Sequence, residues 1–376
     1  MNLNTRNLLN QINSGIGITH PGTFHADDVL SACLIRLINP DFKIIRSNVI
    51  QNDFKGVVFD IGLGRYDHHQ MNAEIRDSGI KYAAFGLLWR DLYSLFMDKY
   101  HSEMFDKVFV SELDRCDNSS DTNLLSNVIG NFNPSWNGNE NSNENFELAV
   151  KIFTPLLSDL IHHFKHSTFA FHHCYEIDDY IKAALLNIYQ QKTNRKLDIS
   201  RFVPAIEVWK NHSHELIPEK EPEYFERIFL NQISKVYGKY KTSPFILMFA
   251  STTKEIAIPC LEEIIKQEIK MINAIEPAKR KCEEIYQNSK RKDIIILDRY
   301  IPYSSMTEQH EEIKMVIFPS DRNGYAMFAA AMNINEKKSN HLNPKKSYPR
   351  IEFPMNLRGK SEEELRSYHP GLFFVH

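Results

Sequence analysis

The stretch that decides the fold is residues 15–28, GIGITHPGTFHADD, with the run VLSACLIRL at 29–37 that follows it. A short apolar segment ends in a polar loop. Apolar residues at Val29, Leu30, Cys33, Leu34 and Leu37 then recur at helical spacing. Two more short apolar runs follow, 42–45 (FKII) and 56–59 (GVVF), each bounded by polar or glycine residues and read as buried strands. Strand, helix and strand in that order call for a crossover connection, hence a parallel sheet and the α/β class.

Further along the chain, the periodicity predicts helices over 82–98 and 103–116. The tract 133–145 (NPSWNGNENSNEN) reads as a surface loop or boundary. Long helical patterns then cover 146–165, 175–192, 222–238 and 257–289. From about residue 293 the texture changes to strand-like runs at 294–297 (IIIL), 315–318 (MVIF) and 325–332. Three units are expected: a parallel-sheet domain over 1–155, a mostly helical connector or insertion over 156–290, and a smaller α+β domain over 291–376.

The 376 residues exceed one ordinary core; 42% are hydrophobic and 25% charged, the balance of a soluble globular chain. A net charge of −3 gives no overall basic field for nucleic acid, while leaving a local basic channel open. The five cysteines lie far apart without a C-x-x-C pair, against a disulfide framework or a cysteine-rich zinc site. No apolar run approaches the ~20 residues that cross a bilayer, so no membrane partner is expected. Residues 1–14 read as an amphipathic first helix. The expected compartment is the cytoplasm, with organellar targeting the alternative.

The chemistry sits at the strand ends. The first strand finishes at His20, its loop supplies His25 and Asp27, and the next buried strand ends at Asp60. Asp67-His68-His69 follows a turn with two glycines, and Glu112, Asp114 and Asp117 fall within SELDRCDN at 111–118. Ligands of open parallel sheets bind beyond the carboxyl ends of the strands, so these residues converge in space. Imidazole and carboxylate without thiolate suit Mn²⁺, Mg²⁺ or Co²⁺. One shared carboxylate would hold two ions ~3.5–4 Å apart. Asp60, directly at a strand end, is the natural bridge. Taken singly, H-x-x-x-x-H-x-D also suits a helix cap, and Asp60 a turn opener.

These motifs resemble the signature blocks of the DHH phosphoesterase superfamily, and within it the Myg-type (melanocyte-proliferating-gene) exonuclease branch. The resemblance rests on THPGTFHADD, VVFDIG and RYDHHQ, then KYAAFGLLW at 81–89, ELDRCDN at 112–118 and NPSW at 133–136. It returns in IILDRYIPY, MVIFPSD and PMNLRGKSEEEL, and covers roughly 15–155 and 291–376. It implies that His20, His25 and Asp60 hold a first ion. Asp27, Asp60, His68 and either Asp114 or Asp117 hold a second. Asp60, His68 and His69 then count as the catalytic set, with His69 near the phosphate or supporting the metal shell and Asp67 orienting a histidine. Two divalent ions are implied, Mn²⁺ first and Mg²⁺ or Co²⁺ as alternatives. Asp114 and Asp117 are three apart on one helix face, so the sequence does not choose between them.

For substrate the resemblance implies Lys81, and in the C-terminal unit Arg350, Arg358 and the backbone at Gly359. Two departures bear on that unit: Leu357-Arg358-Gly359-Lys360 stands where the family usually has Trp-Arg-Gly-Leu, and the chain stops at His376 where the family runs into a glycine-rich segment. The leading expectation is a 3′-5′ exonuclease on single-stranded RNA, with DNA as a further substrate. The alternatives are a phosphoesterase on dinucleotides, cyclic dinucleotides or pyrophosphate, and an inactive binding or scaffold protein. Partners are thus single-stranded nucleic acid or a short oligonucleotide, with homo-oligomerisation open. Three other features read as structural: the histidine run 162–173, the basic residues 290–292 and 345–346, and Trp136 as a loop anchor. A base-stacking Trp136 is the alternative.

Overall fold

Helix α1 (Leu3–Asn13) turns Thr5, Leu8 and Ile12 inward at helical spacing and seats on the first sheet and its neighbouring helix. The computed structural model describes residues 3–70, 72–119, 123–166, 244–245, 248, 251–320, 324–343, 347–357, 360 and 362–368. The helical patterns expected at 175–192 and 222–238 lie outside the described residues, as do Lys345, Lys346, Arg358 and Gly359.

Strand β1 (Ile16–Thr19) leads through helix α2 (Ala26–Ile38) to strand β2 (Lys43–Arg46), and β3 (Val57–Val58) follows. All three run parallel in the order β2-β1-β3, with Ile16 opposite Lys43 and Gly17 opposite Val57. Gly17 permits this close approach: a Cβ there would lie 2.8 Å from the Phe42 ring and 2.9 Å from the Val57 carbonyl. The third strand is shorter than its apolar run. Phe59 still donates to Ile18 O at 3.1 Å but bridges to Tyr66, starting the turn that carries the Asp-His-His segment.

Helix α3 (Ala84–Leu92) ends earlier than its periodicity suggests, in a 3₁₀ turn over Tyr93–Leu95. The helix expected over 103–116 is three pieces: α4 (Lys99–Phe105), a π turn (Asp106–Val110) and α5 (Ser111–Asp117). Such π turns inside helices often mark functional sites. Helices α6 (Leu124–Gly130) and α7 (Ser142–His166) complete this region. Every residue of α2 from Ala26 to Ile35 is buried, because α3 and α7 cover it on two sides. Trp89, Phe105, Phe109 and Phe164 form an aromatic cluster with centroids 4.5–5.1 Å from that of Phe105. Each such fully buried side chain contributes about 1.5–3 kcal/mol.

The 35-residue helix α8 (Lys254–Asn288) joins two cores. Ala257, Leu261, Ile264 and Ile265 belong to the first, and Ala278, Cys282 and Tyr286 to the second. The second core lies beneath a small sheet, in which β4 (Ile294–Ile296) is parallel to β5 (Met315–Pro319) and β6 (Tyr325–Ala329) is antiparallel to it. Helices α9 (Ser304–Gln309), α10 (Ile334–Ser339) and α11 (Glu362–Tyr368) complete the described chain. The architecture is therefore mixed α/β, a three-stranded parallel sheet plus a small sheet in the C-terminal region.

Trp136 donates its indole N–H to Ala274 O at 2.8 Å and packs against the second core, which ties its loop to α8. Lys292 donates to the Tyr286 and Gln287 carbonyls at 2.6 and 3.2 Å, closing the C-terminal end of α8. Among the described residues, no helix is long and apolar enough to cross a membrane.

Candidate metal centre

Parallel pairing puts the ends of β1 and β3 on one side of the sheet, and the loops leaving them build the site. His20 follows β1 directly. Its Nδ1 lies 2.9 Å from Pro21 O, an atom that only accepts, so Nδ1 carries a proton and Nε2 faces inward. Nε2 lies 3.0 Å from Asp28 Oδ1 and 3.1 Å from Asp60 Oδ2. His25 is the exposed residue preceding α2, and Asp27 and Asp28 occupy its first turn, where carboxylates are favoured by the helix dipole. Asp28 accepts from the His25 N–H at 2.8 Å and from the Thr19 hydroxyl at 3.2 Å.

Asp60 has a positive φ of 54°. A non-glycine residue there is uncommon, and strain of this kind tends to cluster at functional sites. Its N–H donates to Tyr66 O at 2.8 Å, which locks the bend. The carboxylate then spans two histidines: Oδ2 lies 3.1 Å from His20 Nε2 and Oδ1 3.0 Å from His68 Nε2. His68 Nε2 also lies 3.2 Å from Asp117 Oδ2. Asp67 accepts from His69 Nδ1–H at 2.7 Å and from the Leu63 N–H at 2.7 Å, so it orients a histidine and its own loop. His69 is about a third exposed, with Nδ1 3.8 Å from Asp60 Oδ1.

Four overlapping groups bring their ligand atoms within 4.8 Å of one another: His20/His25/Asp28, Asp60/His68/His69, His25/Asp27/Asp117 and Asp27/Asp28/Asp60. None of these groups includes His162 or His163, and His163 Nδ1 instead bonds Asp159 O at 2.7 Å. His172, His173 and Cys174 lie outside the described residues.

The electrostatics of the cluster are those of a group that could hold a cation. Asp27 is buried, and among the described residues none donates a hydrogen bond to either of its oxygens. Burial, then the charges of Asp117, Asp60 and Asp28, push its carboxyl well above the usual range. Burial likewise raises Asp117, against the pull of His68 and His25. Burial disfavours charge on both central histidines, yet Asp28 and Asp60 raise His20 to about 11, while Asp60 and Asp117 raise His68 to about 9. Burial would raise Asp60 too, but its bonds to those two histidines hold it well below the carboxylate range. These shifts favour protons on groups where a divalent cation would compete with them. The donor set of histidines and aspartates fits such ions.

The structure separates the two candidate aspartates on α5. Asp117 sits with His68 and Asp27. Asp114 is fully buried and bonded by Arg76, whose Nε reaches it at 3.2 Å, while Arg76 Nη1 reaches Asp106 at 2.5 Å. Gly86 leaves room for it, since a Cβ there would lie 2.1 Å from Asp114 Oδ2. Asp114 is thus engaged by Arg76 and belongs to none of the four groups, although it lies on the same helix as Asp117. Glu112 pairs with Arg115 at 2.7 Å.

The expected substrate contacts fare differently. Lys81 lies on the hairpin beside α5, pairing with Ile75, and its carbonyl accepts from Asn118 at 3.2 Å. Arg350 does not offer its guanidinium to a ligand. It is buried and donates to Glu336 and to the carbonyls of Thr307, His310 and Ile313 at 2.6–3.1 Å. All of its N–H groups have partners within the fold, so Arg350 organises the second core instead of waiting for phosphate. Two residues went unread in the sequence. Asp28 was visible as the second aspartate of HADD, and Asn118 as the last residue of ELDRCDN.

Fold and cluster together define a mixed α/β protein with a buried histidine–aspartate centre suited to divalent cations. The chain belongs to the family described as an uncharacterised protein family (UPF0160), MYG1_exonuc, whose model matches residues 16–230. The family's name suggests a nuclease-like function. No curated protein and no solved structure matches the chain.

Proposed function

We propose that the chain is a two-metal phosphodiester hydrolase of the DHH type, acting as a 3′-5′ exonuclease on single-stranded RNA and, secondarily, DNA. The observation that carries this reading is Asp60: a carboxylate on a positive-φ backbone, placed between His20 and His68, beside a buried Asp27 to which no described residue donates. His20, His25, Asp28 and Asp60 would hold one ion; Asp27, Asp60, His68 and Asp117 would hold the other. When bound, the ions would supply Lewis-acid stabilisation of the attacking and leaving oxygens. His69, whose Nδ1–H is held by Asp67 and whose ring is partly open to solvent, keeps Nε2 for the substrate side, where its doubly protonated form would donate to a phosphate oxygen. Residues 1–155 form the catalytic unit in this reading, and 291–376 the substrate-binding one.

A 5′-labelled single-stranded RNA 20-mer incubated with Mn²⁺ tests it. A ladder shortening from the 3′ end, absent in Asp60→Ala, is the expected result; no turnover of the 20-mer counts against it. A second reading, a phosphoesterase of dinucleotides or similarly short substrates, is favoured by the internal commitment of Arg350, which removes one contact for a long backbone. Cleavage of a dinucleotide without a ladder would decide for it.

A further inference from the structure

We propose that Asn118 is a positioning residue that fixes the tautomer and orientation of His68. The proposal rests on the metal-centre reading above. Asn118 sits just past the last turn of α5, next to Asp117, and its side chain joins three elements. Its Nδ2 donates to Lys81 O at 3.2 Å, Tyr82 O at 3.2 Å and Asp114 O at 2.9 Å. Carbonyl oxygens only accept, so this end of the amide must be the nitrogen. The other end is therefore the oxygen, and it lies 3.0 Å from His68 Nδ1.

An oxygen acceptor at that distance requires the proton to be on Nδ1. The lone pair of a neutral His68 is then on Nε2, the atom that faces Asp60 and Asp117 at 3.0 and 3.2 Å. Asn118 thereby aims the imidazole into the cluster and leaves the right nitrogen free to bind a cation. Outer partners of this kind orient the ligand and raise its basicity, and losing one typically costs about 10–100-fold in metal affinity. The same amide pins the carbonyl ends of the Lys81 hairpin, so the arm expected near substrate and the histidine share one anchor.

The acceptor role separates experimentally from the anchoring role. Asn118→Asp keeps an oxygen for Nδ1–H and loses every amide donor; Asn118→Ala loses both. Mn²⁺ affinity is measured by calorimetry on the full chain beside wild type and Asp60→Ala, with melting temperatures for each. Both Asn118 variants should melt earlier, having lost the same amide nitrogen and its contacts to three carbonyls. Asn118→Ala should bind Mn²⁺ about 10–100-fold more weakly, and Asn118→Asp at least about as tightly as wild type. With Mg²⁺ and ¹⁵N-labelled histidine, an exchange-protected His68 Nδ1–H should persist in wild type and Asn118→Asp and vanish in Asn118→Ala, which added charge alone would not produce. Equal losses in both variants, or no loss in either, overturn the proposal. If Asp60→Ala abolishes binding and Asn118→Ala does not, the metal centre stands and the role of Asn118 falls. No Mn²⁺ binding by wild type removes both.

Discussion

Arg76 binds Asp114 through two of its guanidinium nitrogens, and of the two aspartates on α5 it is Asp117 that belongs to a candidate metal group. Asp117, three residues on, faces His68 at 3.2 Å. The two carboxylates should therefore fail in different ways when removed. Asp117→Ala should lower activity at least about 100-fold, more than the loss of an outer-shell partner, at little cost in melting temperature. Asp114→Ala should leave a buried guanidinium short of a partner and cost about 3 kcal/mol. Its activity per folded molecule should survive. Denaturant unfolding and turnover of both variants check this, and a stable but inactive Asp114→Ala would put that residue back among the ligands.

The raised histidines set the pH behaviour of the metal-free protein. An imidazole whose folded pKa lies above its ordinary 6.5 stabilises the fold fully below pH 6.5. That contribution is lost as pH climbs through about 9 for His68 and about 11 for His20. Asp27, raised well above 3.8, works in the same direction, its proton being held more tightly in the folded state. Divalent ions compete with those protons and replace their stabilising charge. The rise in melting temperature on adding Mn²⁺ should thus grow from pH 6 to pH 9, reaching the equivalent of about 2.7 kcal/mol at a hundred times the dissociation constant. Melting curves with Mn²⁺ and with chelator across that range measure it. A pH-independent increment would mean that the ions bind without displacing protons from this cluster.

Arg350 and Glu336 make the corresponding test of the second core. Arg350 is nearly inaccessible, and Glu336 receives it on both carboxylate oxygens at 2.6–3.0 Å. Truncating Arg350 to alanine should destabilise this region by about 3–5 kcal/mol, and lysine should rescue poorly because it lacks the planar fork. Burial would raise the Glu336 carboxyl, but Arg350 and the Asn333 N–H hold it below its ordinary 4.5. Its contribution is therefore present above pH 4.5 and lost as pH falls below that value. Hydrogen exchange over β4–β6 should loosen in acid for wild type and at neutral pH for Arg350→Ala. A raised KM for RNA with unchanged stability would instead identify a phosphate contact.

Much of the first unit was legible because its signals are local. Apolar runs ending in His20 and Asp60, and helical spacing from Val29 to Leu37, fix the sheet and the strand ends within a few residues of sequence. What escaped depends on distant partners. Asp114 is claimed by Arg76, 38 residues away, and Arg350 by Glu336 and three carbonyls, none visible from the arginine itself. The π turn at Asp106–Val110 widens a single turn, a change of period too brief to stand out from the helical spacing on either side. Asn118 escaped because an amide after an aspartate reads as an ordinary helix end.

Asp28 is the residue whose role the sequence underrated most, since an aspartate in the first turn of a helix already has a structural reason to be there. It does that structural work, accepting from the His25 N–H at 2.8 Å. It also lies 3.0 Å from His20 Nε2 and within reach of Asp27 and Asp60. The two jobs differ in what they require: capping needs one acceptor oxygen, whereas holding a cation with His20 needs negative charge. Asp28→Asn keeps an acceptor and should cost little stability, while metal affinity falls by more than the about 10–100-fold that an outer partner is worth. Asp28→Ala should lose the same affinity and about 1 kcal/mol more from the helix start. Calorimetric Mn²⁺ titration beside chemical denaturation separates the two. If Asp28→Asn binds Mn²⁺ as wild type does, Asp28 is a cap alone, and the ion beside His20 rests on His25 and Asp60.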